Sequence, residues 1–76
     1  MSLTTALSDC SAKRCQVVSL NLTGATAQRL EALGIFEGQD MKLAKRGNPL
    51  IVKAAGGKVA ISRDLASQIL VRAVVE

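Results

Sequence analysis

The chain has 76 residues and a mass of 8.0 kDa, a size that accommodates a single domain. Hydrophobic residues make up 49% and charged residues 21%, which is a globular composition, and the single aromatic residue leaves the core to aliphatic side chains. The sequence contains no His, Trp or Tyr, so it lacks the commonest general base and the large aromatics that stack on nucleobases. Size and composition together disfavour an independent enzyme with a buried substrate pocket.

Ten Lys and Arg against six Asp and Glu give a net charge of +4, which permits an acidic partner. The basic residues are scattered from Lys13 to Arg72 rather than gathered in blocks, a distribution typical of a solvated surface. Lys42 and Arg46 fall on one face of a predicted strand and Lys45 on the other. We interpret this stripe as an ordinary solvent-facing surface, and the charge pattern disfavours a nucleic-acid partner.

Two cysteines are too few for a disulfide scaffold, and the first residues do not resemble a secretory signal. No stretch approaches the ~18 consecutive apolar residues of a membrane span. These features predict a cytoplasmic protein with no direct membrane insertion. The sequence predicts one domain over residues 1–76, in which residues 1–6 are expected to be flexible or partly derived from an expression vector.

The first predicted element is a strand over Gln16–Leu22, where Val18, Leu20 and Leu22 alternate with polar residues. A short amphipathic helix is predicted next, over Ala25–Leu33. Thr23 and Thr26 are its candidate N-caps, and Gly34 is the expected stop because it can adopt a left-handed conformation. Gly38 is expected to provide the positive φ of a type II turn.

Four further strands are predicted, over Gln39–Arg46, Leu50–Ala54, Lys58–Ile61 and Leu70–Val75. Gly56 and Gly57 are expected to form a tight hairpin, and Ser62 to cap a single helical turn with Asp64 near its start. The fold class is therefore mainly β with short helices, a small five-stranded barrel with a helix after the first strand. Closure of the barrel would remove exposed sheet edges. One core is expected to contain Leu30, Leu43, Val52, Ile61 and Val71.

The residues also carry a family likeness. Arg29–Gly38, with the sequence RLEALGIFEG, resembles the "RL..LGI..G" signature of the FeoA family of bacterial ferrous iron transport. Asn48–Val52 is similar to the family's "dPi.v" strand, and Ala60–Arg63 with Ala66, Ile69 and Val71 to its closing "aLr..dA..I.V" element. Leu7–Asp9 resembles its opening "Ls.l" box. The sequence departs from the family pattern at three places, all of them in loops: at Lys13, at Glu37 and in the short loop at Gly47–Asn48.

The resemblance implies an SH3-like barrel in the bacterial cytoplasm, without enzymatic activity or cofactor. It further implies a role in iron homeostasis as an adapter that binds and modulates the cytosolic, GTPase-bearing part of the FeoB membrane transporter. A homo-oligomer is compatible with it. Three alternatives remain open: an SH3-like accessory domain of an iron-dependent regulator, a small-barrel nucleic-acid-binding module, and a metal carrier.

Three apolar residues around the end of the helix are candidate partner contacts: Leu33, Ile35 and Phe36. Leu30 and Leu33 lie at helical spacing, which mainly indicates a buried face. Ile35 and Phe36 are consecutive residues in a turn, where only one can point inward comfortably. The other is expected to be an exposed contact, and a large rigid ring such as Phe36 suits that role. The alternative is that Phe36 plugs the end of the barrel.

Cys10 and Cys15 are weak candidates for metal ligands. Two thiolates fall short of the four ligands of a closed structural site, and their spacing is looser than the usual two-residue gap. We therefore predict no metal site, with Cys15 buried at the start of the first strand and Cys10 partly exposed. No residue is predicted to be catalytic.

Overall fold

The computed structural model describes residues 4–74. Its strands are β1 Thr4–Ala6, β2 Arg14–Leu20, β3 Asp40–Lys45, β4 Leu50–Ala54, β5 Gly57–Ile61 and β6 Ile69–Ala73. Its helices are α1 Gly24–Ala32 and α2 Arg63–Ala66, and a single 3-10 turn covers Leu7–Asp9. No helix within the described range has the length and apolar character needed to span a bilayer.

All six strands belong to one antiparallel sheet with the order β1-β6-β2-β3-β4-β5. This confirms the mainly β fold class, and β2 to β6 correspond to the five predicted strands. β1 is an addition, because the sequence predicts a flexible segment there. Its residues pair with β6, with Thr4 opposite Arg72 and Ala6 opposite Leu70. The sequence of Thr4–Ala6 does not alternate between apolar and polar residues. This edge strand therefore forms because its backbone pairs with β6. Residues 1–3 of that predicted segment lie outside the described residues.

The barrel is closed by two short helices rather than by pairing of its edge strands. β1 and β5 are the two edges of the sheet, and within residues 4–74 they do not pair with each other. Each edge strand leads instead into a short helix, β1 into the 3-10 turn and β5 into α2. These two helices contact each other and join the edges at one end of the barrel.

One core fills the barrel. Its buried residues come from β2 to β6, both helices and the connecting segments: Leu7, Cys10, Cys15, Val17, Leu30, Ile35, Met41, Leu50, Val52, Ile61, Ala66, Ile69 and Val71. Four of the five predicted core residues are in this set, and Leu43 packs against it half-buried. The predicted common core is therefore confirmed.

The inward face of β2 differs from the predicted alternation. Cys15 and Val17 are buried, whereas the sequence pattern places Val18 inward. The register of β2 against β6 shifts between Val17 and Ser19, a β-bulge that inserts one unpaired residue. After the bulge the inward face passes to even positions, and Leu20 and Leu22 pack against the core as predicted.

The helix boundaries follow the capping residues with one exception. The Ser62 hydroxyl accepts a hydrogen bond from the backbone N–H of Leu65 at 3.2 Å, which confirms the predicted cap of α2. Thr23 occupies the N-cap position of α1, which starts at Gly24, but its side chain makes no cap hydrogen bond. The peptide bond between Asn48 and Pro49 is cis.

Candidate functional site

The α1–β3 loop, residues 33–39, begins with a Schellman motif. The backbone N–H of Gly34 donates to the Glu31 carbonyl at 3.0 Å, and that of Ile35 donates to the Leu30 carbonyl at 2.8 Å. Gly34 has φ +92°, the left-handed conformation that this motif requires. The predicted stop of the helix at Gly34 is thereby confirmed, and the backbone that enters the loop is fixed.

The second half of the α1–β3 loop is a β-turn held against β2. The N–H of Gln39 donates to the Phe36 carbonyl at 3.0 Å, and Gly38 at the third position has φ +91°, as predicted. The N–H of Gly38 donates to the Val17 carbonyl at 2.8 Å. The Gln16 side-chain amide donates to the Gly38 carbonyl at 3.1 Å. Phe36 therefore lies between two anchored segments of backbone.

The structure separates the three candidate contact residues. Ile35 is fully buried in the core, whereas Leu33 is 38% and Phe36 40% exposed. Only one residue of the Ile35-Phe36 pair points inward, and Phe36 does not plug the barrel. Because Ile35 is buried, it is not part of an exposed contact surface. Leu33 was expected to be mainly a core residue, but it lies at the C-cap of α1, where the chain turns and leaves the buried face of the helix.

The loop packs against the turn between β4 and β5. A Cβ atom placed on Gly34 would lie 3.1 Å from the backbone nitrogen of Ala55, and one on Gly56 would lie 3.1 Å from the Leu33 carbonyl oxygen. This hairpin turn comprises Ala55 and Gly56, one residue earlier than predicted, because Gly57 already pairs with Ala54. Glycine at both contact positions allows the close approach.

We call the exposed side chains of Leu33 and Phe36 the apolar patch.

Three large hydrophobic side chains are exposed among residues 4–74: Leu33, Phe36 and Leu70. Leu70 is 38% exposed and belongs to β6, outside the α1–β3 loop. Two of the three therefore come from one seven-residue loop. Exposed apolar side chains that gather on a rigid segment are a feature of protein interaction sites.

The two cysteines are both buried, so Cys10 is not partly exposed as expected. Its thiol points toward the Ala12 carbonyl at 3.9 Å, within the segment that leads into β2. Burial, and then the neighbouring Cys10 thiol, raise the pKa of Cys15 to about 12. A metal bound by Cys15 would have to displace this proton, and burial makes that loss more costly than for an exposed thiol. The described residues also contain no cluster of three or more His, Cys, Asp or Glu able to hold a metal ion.

A second surface, which the sequence pattern does not reveal, crosses the outer face of the sheet. Arg14 on β2 lies opposite Lys42 on β3, Lys42 opposite Lys53 on β4, and Lys53 opposite Lys58 on β5. We call these four exposed residues the basic row. The stripe predicted from the sequence follows one strand, whereas the row crosses four strands and depends on their register.

A groove of about 730 Å³ adjoins the basic row. Its lining consists of Lys13, Arg14, Gln39, Asp40, Met41, Lys42, Lys53, Ala54, Ala55 and Val74. Asp40 is the one carboxylate in this lining. Gln39 is both the last residue of the α1–β3 loop and part of the lining, so the groove borders the loop that carries the apolar patch.

Comparison with solved structures shows several similar folds. FeoA from Chlorobium tepidum is 29% identical, with a TM-score of 0.82 over 93% of this chain and 71% of that one. FeoA from Stenotrophomonas maltophilia is 28% identical, with a TM-score of 0.67 over 93% and 88% of the two chains. That protein was solved in complex with zinc and is described as a procaryotic SH3 domain protein and a suggested activating factor of bacterial ferrous iron transport.

A longer protein of low identity shares the fold as well. IdeR from T. acidophilum gives a TM-score of 0.81 at 16% identity, over 93% of this chain and 34% of that chain. At that identity the likeness shows the fold alone. None of the curated protein sequences matches the chain significantly.

The sequence itself matches the FeoA domain over residues 5–73, a range that extends from β1 to the end of β6. The matched range includes the Schellman motif at Gly34, the turn at Gly38 and the whole core. With an SH3-like barrel that superimposes on solved FeoA structures, the chain belongs to the FeoA family.

Proposed function

We propose that this protein is a non-catalytic adapter that binds the cytosolic, GTPase-bearing part of a FeoB-type ferrous iron transporter and modulates its activity by protein contact. The observation that carries the proposal is the apolar patch on the α1–β3 loop. Leu33 and Phe36 expose apolar surface from a backbone that is hydrogen-bonded at both ends. Membership of a ferrous iron transport family supports the choice of partner.

The rigidity of the loop favours a preformed contact. A partner that binds a preordered segment does not have to offset the entropy of ordering it. Burial of Ile35 beneath the loop ties the position of Phe36 to the core. Interface energy is concentrated in a few large anchors, and Phe36 is the one aromatic residue of the chain.

Modulation follows from preferential binding. If the adapter binds one conformation of the transporter's cytosolic part more tightly than another, it shifts the population toward that conformation. The same coupling free energy makes the affinity of the adapter depend on the nucleotide that the partner holds. The adapter contributes no chemical group to GTP hydrolysis in this scheme.

Chemical-shift mapping tests the proposal. Isotopically labelled protein is titrated with the unlabelled cytosolic part of the cognate transporter, with bound GTP analogue and with bound GDP. We expect the largest backbone shifts in residues 33–39 and at Ala55 and Gly56, with different affinities for the two nucleotide states. Absence of binding, or shifts confined to β1 and the Leu70 side of β6, would contradict the proposal.

The fold shared with IdeR favours a second candidate, an accessory domain that acts within an iron-dependent regulator. This candidate predicts binding to a regulator's DNA-binding portion and no binding to the transporter. A parallel titration with each of the two proteins separates the candidates.

A further inference from the structure

We infer that the basic row and its groove form a second half of the docking surface and bind an acidic segment of the partner protein. This inference rests on the proposed function, because it assumes a protein partner. It assigns the electrostatic part of the contact to residues outside the α1–β3 loop.

The first argument is the register. Lys53 has a lysine directly opposite it on each side, Lys42 on β3 and Lys58 on β5, and Lys42 has Arg14 as its other neighbour. Directly opposed residues of an antiparallel sheet place their side chains on the same face. The four strands are adjacent, so the row spans about 15 Å at the usual strand spacing.

The second argument is the cost to stability. Like charges in directly opposed positions destabilise a sheet, and a protein of this size has little stability to spare. Lys residues also protect an edge strand from unwanted pairing, a role that suits Lys58 on β5. That role does not account for Lys42 and Lys53, which lie on the interior strands β3 and β4. An anionic partner that neutralises the row does account for them.

The third argument concerns the chemical class of the partner. The groove contains apolar side chains next to the row, and Gln39 in its lining belongs to the α1–β3 loop that carries the apolar patch. The combined surface thus offers large apolar anchors beside a charged region, as protein interfaces do. A single phosphate group is too small to contact a row that crosses four strands.

The same groove fits a nucleic acid poorly. Its lining holds no aromatic side chain on which a base could stack. The Asp40 carboxylate can accept hydrogen bonds from peptide N–H groups, which the phosphates of a nucleic acid do not offer. These features favour an acidic peptide segment over single-stranded RNA.

The experiment compares two charge-reversal variants of the full chain. Lys42→Glu/Lys53→Glu reverses the centre of the row. Arg46→Glu/Arg63→Glu changes the net charge by the same amount at exposed positions outside the row and the groove. Both are titrated at low and moderate salt with three probes: the transporter's cytosolic part, a twelve-residue Glu-rich peptide and a twelve-nucleotide single-stranded RNA. Thermal unfolding establishes that each variant is folded.

We expect the row variant to lose about tenfold or more of the affinity for the transporter's cytosolic part at low salt, and most of its salt dependence. The control variant should stay within about threefold of the wild type. The Glu-rich peptide should bind the wild type and the control variant but not the row variant. If the row variant binds the transporter as the control does, the inference is overturned while the proposed function stands.

Binding of the Glu-rich peptide distinguishes failure of this inference from failure of the proposed function. If the wild type does not bind the transporter, the proposed function fails, and row-dependent binding of the peptide still upholds an acidic-segment site. A peptide that does not bind, or binds both variants equally, overturns the inference. RNA that binds in a row-dependent manner and more tightly than the peptide also overturns it, in favour of a nucleic-acid surface.

Discussion

The backbone N–H of Ile35 donates a hydrogen bond to the Leu30 carbonyl at 2.8 Å, and both side chains lie in the same buried core. This contact ends α1 and begins the loop that exposes Phe36. A hydrophobic contact between these two positions commonly accompanies the Schellman motif. The geometry of the candidate contact surface therefore depends on the core beneath it.

Leu30 should be among the most costly core residues to truncate. It is the one fully inward-facing residue of α1 in the described core. Leu30→Ala should destabilise the protein by about 2–4 kcal/mol, because it removes buried methyl groups and leaves a cavity. Denaturant unfolding measures this change. A variant with wild-type stability would show that α1 does not cover the barrel.

The two loop glycines should differ in cost when replaced by alanine. Both have positive φ, but a Cβ at Gly38 meets no heavy atom within 4 Å, whereas one at Gly34 lies 3.1 Å from the Ala55 nitrogen. Gly38→Ala should cost about 1 kcal/mol through backbone strain alone. Gly34→Ala should cost more and should move the β4–β5 turn. Equal losses of stability would contradict the close approach.

Much of the fold could be predicted from local sequence. Alternating Met41 and Leu43, the Ser62 cap and the glycines at 34 and 38 each specify a local conformation with a clear residue preference. β1 could not be predicted in this way, since Thr4–Ala6 has no pattern of its own and forms a strand by pairing with β6. The same limit applies to the bulge after Val17, which changes the inward face of β2 without a local signal.

The candidate site was predicted in part. Consecutive apolar residues in a turn correctly indicated that one of Ile35 and Phe36 would be exposed, but the sequence did not show that Ile35 is the buried one. Leu33, a candidate contact that helical spacing mainly placed in the core, is exposed, because helical spacing does not show where α1 leaves the core. The basic row was missed, because Lys42, Lys53 and Lys58 become neighbours only through strand register.

Charge reversal in the row should stabilise the isolated protein. Lys53→Glu replaces two repulsive cross-strand neighbours with two attractive ones, each worth about 0.2–1 kcal/mol. The melting temperature should rise at low salt, and the gain should shrink at high salt because screening weakens exposed pairs. Lys53→Gln, which removes repulsion without adding attraction, should fall between the wild type and Lys53→Glu. A drop in melting temperature for both variants would contradict the register.

The Cys15 thiol should make stability fall at alkaline pH. Its pKa in the folded protein is about 12, above the ordinary value of 9.0, so the unfolded chain releases this proton first. Below pH 9 the group has no pH-dependent effect. Between pH 9 and 12 it should lower the free energy of unfolding by up to about 1.4 kcal/mol per pH unit.

Cys15→Ala is the matched control for this pH dependence. It removes the titrating group, so the difference in unfolding free energy between wild type and variant should narrow as the pH rises above 9. A difference that stays constant from pH 7 to 11 would show that Cys15 ionises with an ordinary pKa.

The affinity of Phe36→Ser for the transporter's cytosolic part, measured beside that of Leu70→Ser, tests the central claim most directly. Both side chains are exposed to a similar extent, 40% and 38%, so both variants should stay folded and lose a similar, partial amount of stability. We predict that Phe36→Ser weakens binding by about 1–3 kcal/mol while Leu70→Ser leaves it unchanged. Unchanged binding by Phe36→Ser, or an equal loss in both variants, would contradict a contact centred on the apolar patch.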